Sequence, residues 1–264
     1  MCIRDRVEWA VFPVGAPLVA AIGSGALDFG YVGDATTTFA LAAGSPIKTI
    51  NIWTFKGSAN AIVVPKSAPY RDATDLKGRR VSFVRGSPGH LLVLTALLKV
   101  GLSLSDIVAV PLSAADARIA LKTGSIDAWA IWDPYAAMAE LDDGMRPLLT
   151  NEGTIDEVEC GVASNAAIET KRSLLIDFLA RVRNAYIWAD ANPEAHAAAF
   201  TRDTGVPDAV SKLTFSRQHV TVLRSVTDEA IRVHQHVADL YATAGVISHP
   251  IQVAATYDRS FVIP

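Results

Sequence analysis

The sequence predicts a two-lobed α/β protein with a ligand cleft, and three observations predict it. First, residues 19–34 (VAAIGSGALDFGYVGD) align with residues 118–133 (RIALKTGSIDAWAIWD), 99 positions later, placing Gly25 on Gly124, Asp28 on Asp127 and Asp34 on Asp133. Each copy reads as a helix end, a glycine stop, a buried strand and an Asp where the next helix begins. Second, residues 82–131 read as strand–helix–strand–helix–strand with short joints, the pattern of a parallel sheet with right-handed crossovers. Third, half of the 264 residues are hydrophobic and 19% are charged, enough to build a sizeable core. Two copies of one corner imply two lobes, and two lobes imply a cleft.

The elements follow in order. Residues 7–12 alternate as a strand, followed by a turn at Pro13, Gly15 and Pro17. Residues 18–24 form a helix stopped by Gly25, and residues 27–32 a buried strand. Asp34 or Thr36 caps a helix running to Ala43. Residues 47–55 and 59–64 are apolar and rich in β-branched side chains, hence strands. A turn at residues 75–78 feeds a strand ending at Val84. After the break at residues 86–89 comes an apolar helix over 90–100, ended by Gly101. Residues 107–111 are a strand, 114–122 a helix and 126–131 a strand, and Pro134 suits the first turn of a helix over 135–141. Beyond Lys171 the chain reads as helices over 173–189, 193–201, 208–215 and 227–244. No low-complexity linker divides it, so ordinary strands, residues 59–64 and 157–164, join the lobes.

Composition excludes several function classes. A net charge of −3, with no basic block, argues against a nucleic-acid or anionic-membrane surface. No apolar run reaches the ~18–20 residues of a membrane span. Residues 1–6 (MCIRDR) are unlike the rest and read as non-native sequence. Cys2 and Cys160 make no metal spacing, and a disulfide between them has no support from the pattern. His234 and His236, two apart on a helix, face different ways and are poor metal ligands. HExxH, GxSxG and P-loop motifs are absent, so neither a metal nor a cofactor is expected.

The chemistry concentrates at strand ends that lead into helices: residues 33–36, 85–90 and 132–135. A helix start offers unpaired N–H groups and a positive dipole end, suited to an oxyanion. Asp34, Asp133 and Ser87 each read either as a helix cap or as a ligand contact, and His90 as a ligand donor or a part-buried histidine. Trp132 occupies the position where the other copy has Gly33, so it can wall an apolar tail. Cys160 lies in an interior strand pattern and is the one plausible nucleophile, with His90 as its possible base.

These same residues resemble a family. Residues 25–34, 61–66 (AIVVPK), 75–78 (DLKG), 86–90 (GSPGH), 114–118 (AADAR) and 238–245, and above all 124–135 (GSIDAWAIWDPY), resemble the substrate-binding proteins of ABC importers for aliphatic sulfonates. Taurine, nitrate and thiamine-pyrimidine binders belong to the wider group. The resemblance implies a type II periplasmic-binding-protein-like fold with two strand crossovers. Lobe one would hold residues 7–65 and 161–264, and lobe two residues 66–160. It implies a cleft lined by Gly33, Asp34, Ala35, Thr36, Ser87, His90, Trp132 and Asp133. The small anionic ligand would be an alkanesulfonate, delivered to an ABC permease and its ATPase by a monomeric periplasmic protein that is not an enzyme. Taurine, nitrate or an aromatic sulfonate is the alternative ligand, and a desulfinase or thiamine-pyrimidine synthase on the same scaffold is the alternative activity. Members also carry a strand and helix before the position of Val7, after a signal peptide. Both are missing here, which implies a fragment with weakened folding and weakened capture.

Overall fold

The computed structural model describes residues 7–264; the segment read as non-native, and Cys2 with it, lies outside the described residues. Two sheets organise the chain. It begins with α1 (Gly15–Gly23), β1 (Phe29–Gly33), α2 (Asp34–Ala42), β2 (Ile47–Gly57) and β3 (Asn60–Pro65). The βαβαβ unit follows as β4 (Arg80–Ser82), α3 (Pro88–Lys99), β5 (Val108–Val110), α4 (Ala114–Lys122) and β6 (Ala128–Trp132). Next come α5 (Tyr135–Asp142), β7 (Met145–Thr150) and β8 (Val158–Ser164). The last part is α6 (Asn165–Thr170), α7 (Arg172–Ala191), α8 (Pro193–Thr204), α9 (Asp208–Ser216), β9 (Gln218–Val222) and α10 (Asp228–Thr243).

The first sheet has the order β1-β8-β2-β9 and the second β5-β4-β6-β3-β7. In the second sheet β4 pairs with β5 and β6 in parallel, as a βαβαβ unit requires, and β3 joins antiparallel between β6 and β7. Helix α3 covers one face of this sheet through Leu92, Val93 and Leu97, and α4 covers the other through Ala117 and Leu121. The first sheet is covered by α1 and α10 on one side and by α7 on the other. A further apolar cluster bridges the halves, where Ala35 of α2 meets Leu91 and Leu94 of α3 and Val237 and Tyr241 of α10.

The repeated corner is built alike in both halves. Gly25 and Gly124 have φ of 78° and 73°, the left-handed conformation that a Schellman stop needs. Gly25 N donates to Ile22 O and Ala26 N to Ala21 O; Gly124 N donates to Leu121 O and Ser125 N to Ala120 O. The surroundings differ. Asp127 accepts from the backbone N–H of Arg80 and grips its guanidinium, tying β6 to β4. Asp28 instead pairs with Lys171 at the surface, and the equivalent edge of β1 meets no strand among the described residues.

The structure corrects three expectations. Residues 7–12 form no strand: Trp9 and Val11 are 77% and 95% exposed, and an alternating pattern becomes a strand only where a sheet edge pairs with it. The limits drawn at residues 65 and 161 fall inside the wrong sheets. β3 pairs with β6 and β7 and so belongs wholly to the second sheet, while β8 pairs with β1 and β2 and belongs wholly to the first. The chain therefore crosses between Gly57 and Asn60 and returns between Thr150 and Val158. Finally, β7 and β9 were not expected. Both are edge strands, and β7 carries Pro147 opposite Val63, where the register shifts. Edge positions tolerate such breaks, so their sequences read weakly as strand.

Candidate functional site

A cavity of about 340 Å³ opens between the two sheets. From the first half its wall takes the end of β1 and the start of α2, including Tyr31, Gly33, Asp34 and Thr36; from the second it takes Arg85, Ser87, Pro88, Trp132 and Asp133. Strand ends and helix starts from both halves thus converge, as parallel α/β architecture dictates. Gly89 lets α3 lie against β6, since a Cβ there would stand 2.5 Å from the Ala130 carbonyl oxygen. That approach sets the start of α3 at the cavity mouth.

Six of the eight expected residues line this space: Gly33, Asp34, Thr36, Ser87, Trp132 and Asp133. Ala35 and His90, 0% and 3% exposed, lie behind the wall. Ala35 is fully buried in the bridging apolar cluster. The His90 ring stacks on Phe83 with centroids 4.6 Å apart, and its Nδ1 accepts from Gly86 N. Burial drives its pKa down to about 4, so it stays neutral.

The polar groups at the helix starts are largely spoken for. The Thr36 hydroxyl donates to Gly86 O across the gap, at 2.9 Å. The Ser87 hydroxyl donates to Val84 O and accepts from His90 N, capping α3. Asp34 is 1% exposed; its carboxylate accepts from Ala35 N and from Val158 N of β8. Asp133 accepts from Ala137 N, and Arg217, at the end of α9, grips it through Nε at 2.8 Å while reaching Glu140 at 2.6 Å. Gly33 packs on Pro88, whose Cγ lies 3.4 Å from where a Cβ would be. The room left by Gly33 is therefore filled by the opposite half. Trp132 does stand in the cavity wall, edge-on to Tyr135.

Sequence reasoning missed four groups here. Arg85 lines the mouth and lies over Phe39. Arg217 reaches in from a helix end remote in sequence. Glu157, just before β8, and Glu159 within it line the cavity, while Val158 and Cys160 between and beyond them enter the core. That period-2 alternation was the available signal. Burial raises the pKa of Glu159 to about 7, and burial with the nearby Asp34 charge raises that of Glu157.

Cys160 does not meet His90. Its Sγ lies 3.9 Å from His234 Nδ1 and 3.9 Å from the Tyr257 hydroxyl, under the first sheet. Burial pushes the thiol up to about 12 and the His234 imidazole down to about 3, the opposite of a thiolate–imidazolium pair.

Residues 12–196 match the family described as NMT1/THI5 like. A relative in Escherichia coli strain K12, named for aliphatic sulfonate binding, is 32% identical over 238 residues, spanning 90% of this chain and 75% of its own. A relative in Brachyspira hyodysenteriae, named as an ABC transporter periplasmic binding protein, is 24% identical over 92% of this chain and 75% of its own. Among solved structures, the alkanesulfonate-binding protein SsuA of Xanthomonas axonopodis pv. citri, bound to MOPS, superposes with a TM-score of 0.89 at 30% identity. The superposition covers 97% of this chain and 88% of that one. These relatives are binding proteins.

Proposed function

The chain belongs to the NMT1/THI5-like family, and from that premise we propose that it is the substrate-binding component of an ABC importer that captures a small alkanesulfonate. The observation that carries this is the cavity between the sheets, walled from both halves and similar to sulfonate binders along nearly the whole chain. The two halves act as lobes that hinge at the two crossovers and close on the ligand. Thr36 on Gly86, Gly33 on Pro88 and Arg217 on Asp133 are the contacts that closure makes. The sulfonate head sits by the Arg85 guanidinium at the start of α3, where charge and helix dipole both favour an anion. The alkyl tail lies on Trp132. The protein works as a monomer in the periplasm and hands its ligand to a permease driven by an ATPase.

Capture by three oxygens separates sulfonate from carboxylate. Each buried donor left unmet costs about 1–3 kcal/mol, so pentanoate is expected to bind at least about tenfold more weakly than butanesulfonate, which has the same alkyl chain. Titration calorimetry of the 264-residue chain with each compound checks this. Equal or tighter binding of pentanoate would contradict sulfonate capture.

A further inference from the structure

We propose that Glu157 is a proton seat in the hinge, so that closure on an anion takes up a proton from solvent and capture weakens as pH rises. This rests on the sulfonate-capture reading and couples a proton to it. The two crossovers, residues 57–60 and 150–158, are tied to each other by polar bonds. Asn60 N donates to Asn151 Oδ1 at 2.9 Å, and Asn151 N donates to Asn60 O at 3.1 Å. Asn60 Nδ2 donates to Glu157 Oε2 at 2.6 Å, and next along the chain Val158 N donates to Asp34 Oδ2 at 2.9 Å. Glu157 thus stands where both crossovers meet the start of α2. Its other oxygen, Oε1, is shielded from solvent with no hydrogen-bond partner.

An ionised Glu157 is costly in this place. Its enclosed oxygen loses hydration without a replacement donor, and no Lys or Arg forms an ion pair with it among the described residues. Asp34 and Glu159 beside it carry like charge. The incoming sulfonate adds another negative charge to a wall that holds Asp34, Glu157 and Glu159 against Arg85, since Asp133 is neutralised by Arg217. A proton on Oε1 removes the charge that all of these oppose. Burial and the Asp34 charge accordingly hold Glu157 well above the ordinary glutamate range in the closed chain. Opening lets water reach Oε1 and lowers that value. A group whose pKa is higher in the closed, liganded form gains protons on capture. Affinity is therefore greatest at low pH and is lost as pH rises toward the closed-form value.

The groups that face Glu157 are Asp34 on α2, Glu159 on β8, Tyr241 on α10 and, across the cavity, Arg85 before α3 and Asp133 held by Arg217. Asp156, its chain neighbour, is exposed. Asp34 and Glu159 share the upward shift and steepen the same trend, while the Tyr241 phenol stays neutral. The test is titration calorimetry of the whole chain with butanesulfonate in phosphate and in imidazole, buffers that differ in ionisation enthalpy and carry no sulfonate. The binding heat at pH 7 is expected to differ between them by roughly half a proton or more taken up per ligand. Affinity is expected to fall at least about tenfold from pH 6 to 8.5, with thermal melting confirming a folded chain at each pH. Glu157→Gln mimics the protonated acid. It is expected to halve the proton uptake or better, to flatten the pH profile and to bind at pH 8.5 at least as tightly as the wild type. If that variant fails to fold, the proton count and pH profile of the wild type still decide. Binding without proton uptake, or with affinity flat or rising with pH, would overturn the seat and leave sulfonate capture standing. Undiminished proton uptake in a folded Glu157→Gln chain would do the same. Absence of butanesulfonate binding at every pH would remove both.

Discussion

Replacing Arg217 with alanine is expected to weaken capture of butanesulfonate about a hundredfold. Arg217 follows α9 in the first half, while Asp133 and Glu140 belong to the second, so its guanidinium joins the lobes across the cavity mouth. The Asp133 side chain is 1% exposed, and the guanidinium contacts it in forked, two-point geometry. Removing the cation leaves a buried carboxylate with no counter-charge, which costs about 3–5 kcal/mol in comparable pairs. The closed form bears that cost, whereas opening lets water reach Asp133. A ligand that needs the closed form therefore loses about two decades of affinity, taking about 3 kcal/mol and 1.4 kcal/mol per decade. Arg217→Lys keeps the charge but not the fork and should fall between. Calorimetry measures the affinities, and small-angle scattering the expected larger radius of the alanine variant. A change below threefold would show that this contact does not govern closure.

The second large effect is on stability against pH. Glu159 titrates at about 7 in the folded chain, against an ordinary glutamate value near 4.3, because burial disfavours its charge. Asp34 and Glu157 are raised for the same reason, with a further push from the Glu159 charge on Asp34 and from the Asp34 charge on Glu157. A carboxyl whose folded pKa is raised binds more protons folded than unfolded between those two values. Stability therefore falls as pH rises from about 4.3 to 7, by roughly 3–4 kcal/mol for one such group. Carboxylates shifted the other way, such as Asp127 by Arg80 and Asp143 by Arg118 and Lys122, lose their contribution only below their ordinary range. The melting temperature of the ligand-free chain is expected to peak near pH 5 and to drop by roughly 5–10 °C by pH 8. Scanning fluorimetry from pH 4 to 8.5 checks this, and a flat profile or a rise toward pH 8 would contradict it.

The two halves were legible because each corner is local. Gly25 and Gly124 announce helix stops through backbone conformation alone, and the strands that follow read as apolar runs, although β6 is buried on both faces while β1 is fully buried only at Val32. What lay outside local pattern was lost. β7 and β9 are edges, with Pro147 in one and alternating polar residues in the other. Residues 7–12 have a strand's alternation, but pairing, not alternation, makes a strand. At the site, helix-start logic found Asp34, Ser87 and Asp133 and offered each a capping role, which Ser87 takes, but it could not see the distant partners, Val158 of Asp34 and Arg217 of Asp133. His90 and Ala35 sit on the same helix starts as true wall residues, yet one turn of helix rotates them into the bridging core. Arg217 is 84 residues from Asp133 and bears no motif. Glu157 and Glu159 stood in plain view at the start of a strand, where their period-2 spacing was read for fold and not for charge.

The most direct test of capture between the sheets is a crystal structure of the chain grown with butanesulfonate. The expected result places the sulfur between Arg85 and the start of α3, with the alkyl chain on Trp132 and the Arg217–Asp133 contact closed. A sulfonate lodged elsewhere, for example in the groove by Tyr186, His196 and His219, with the central cavity empty, would contradict it.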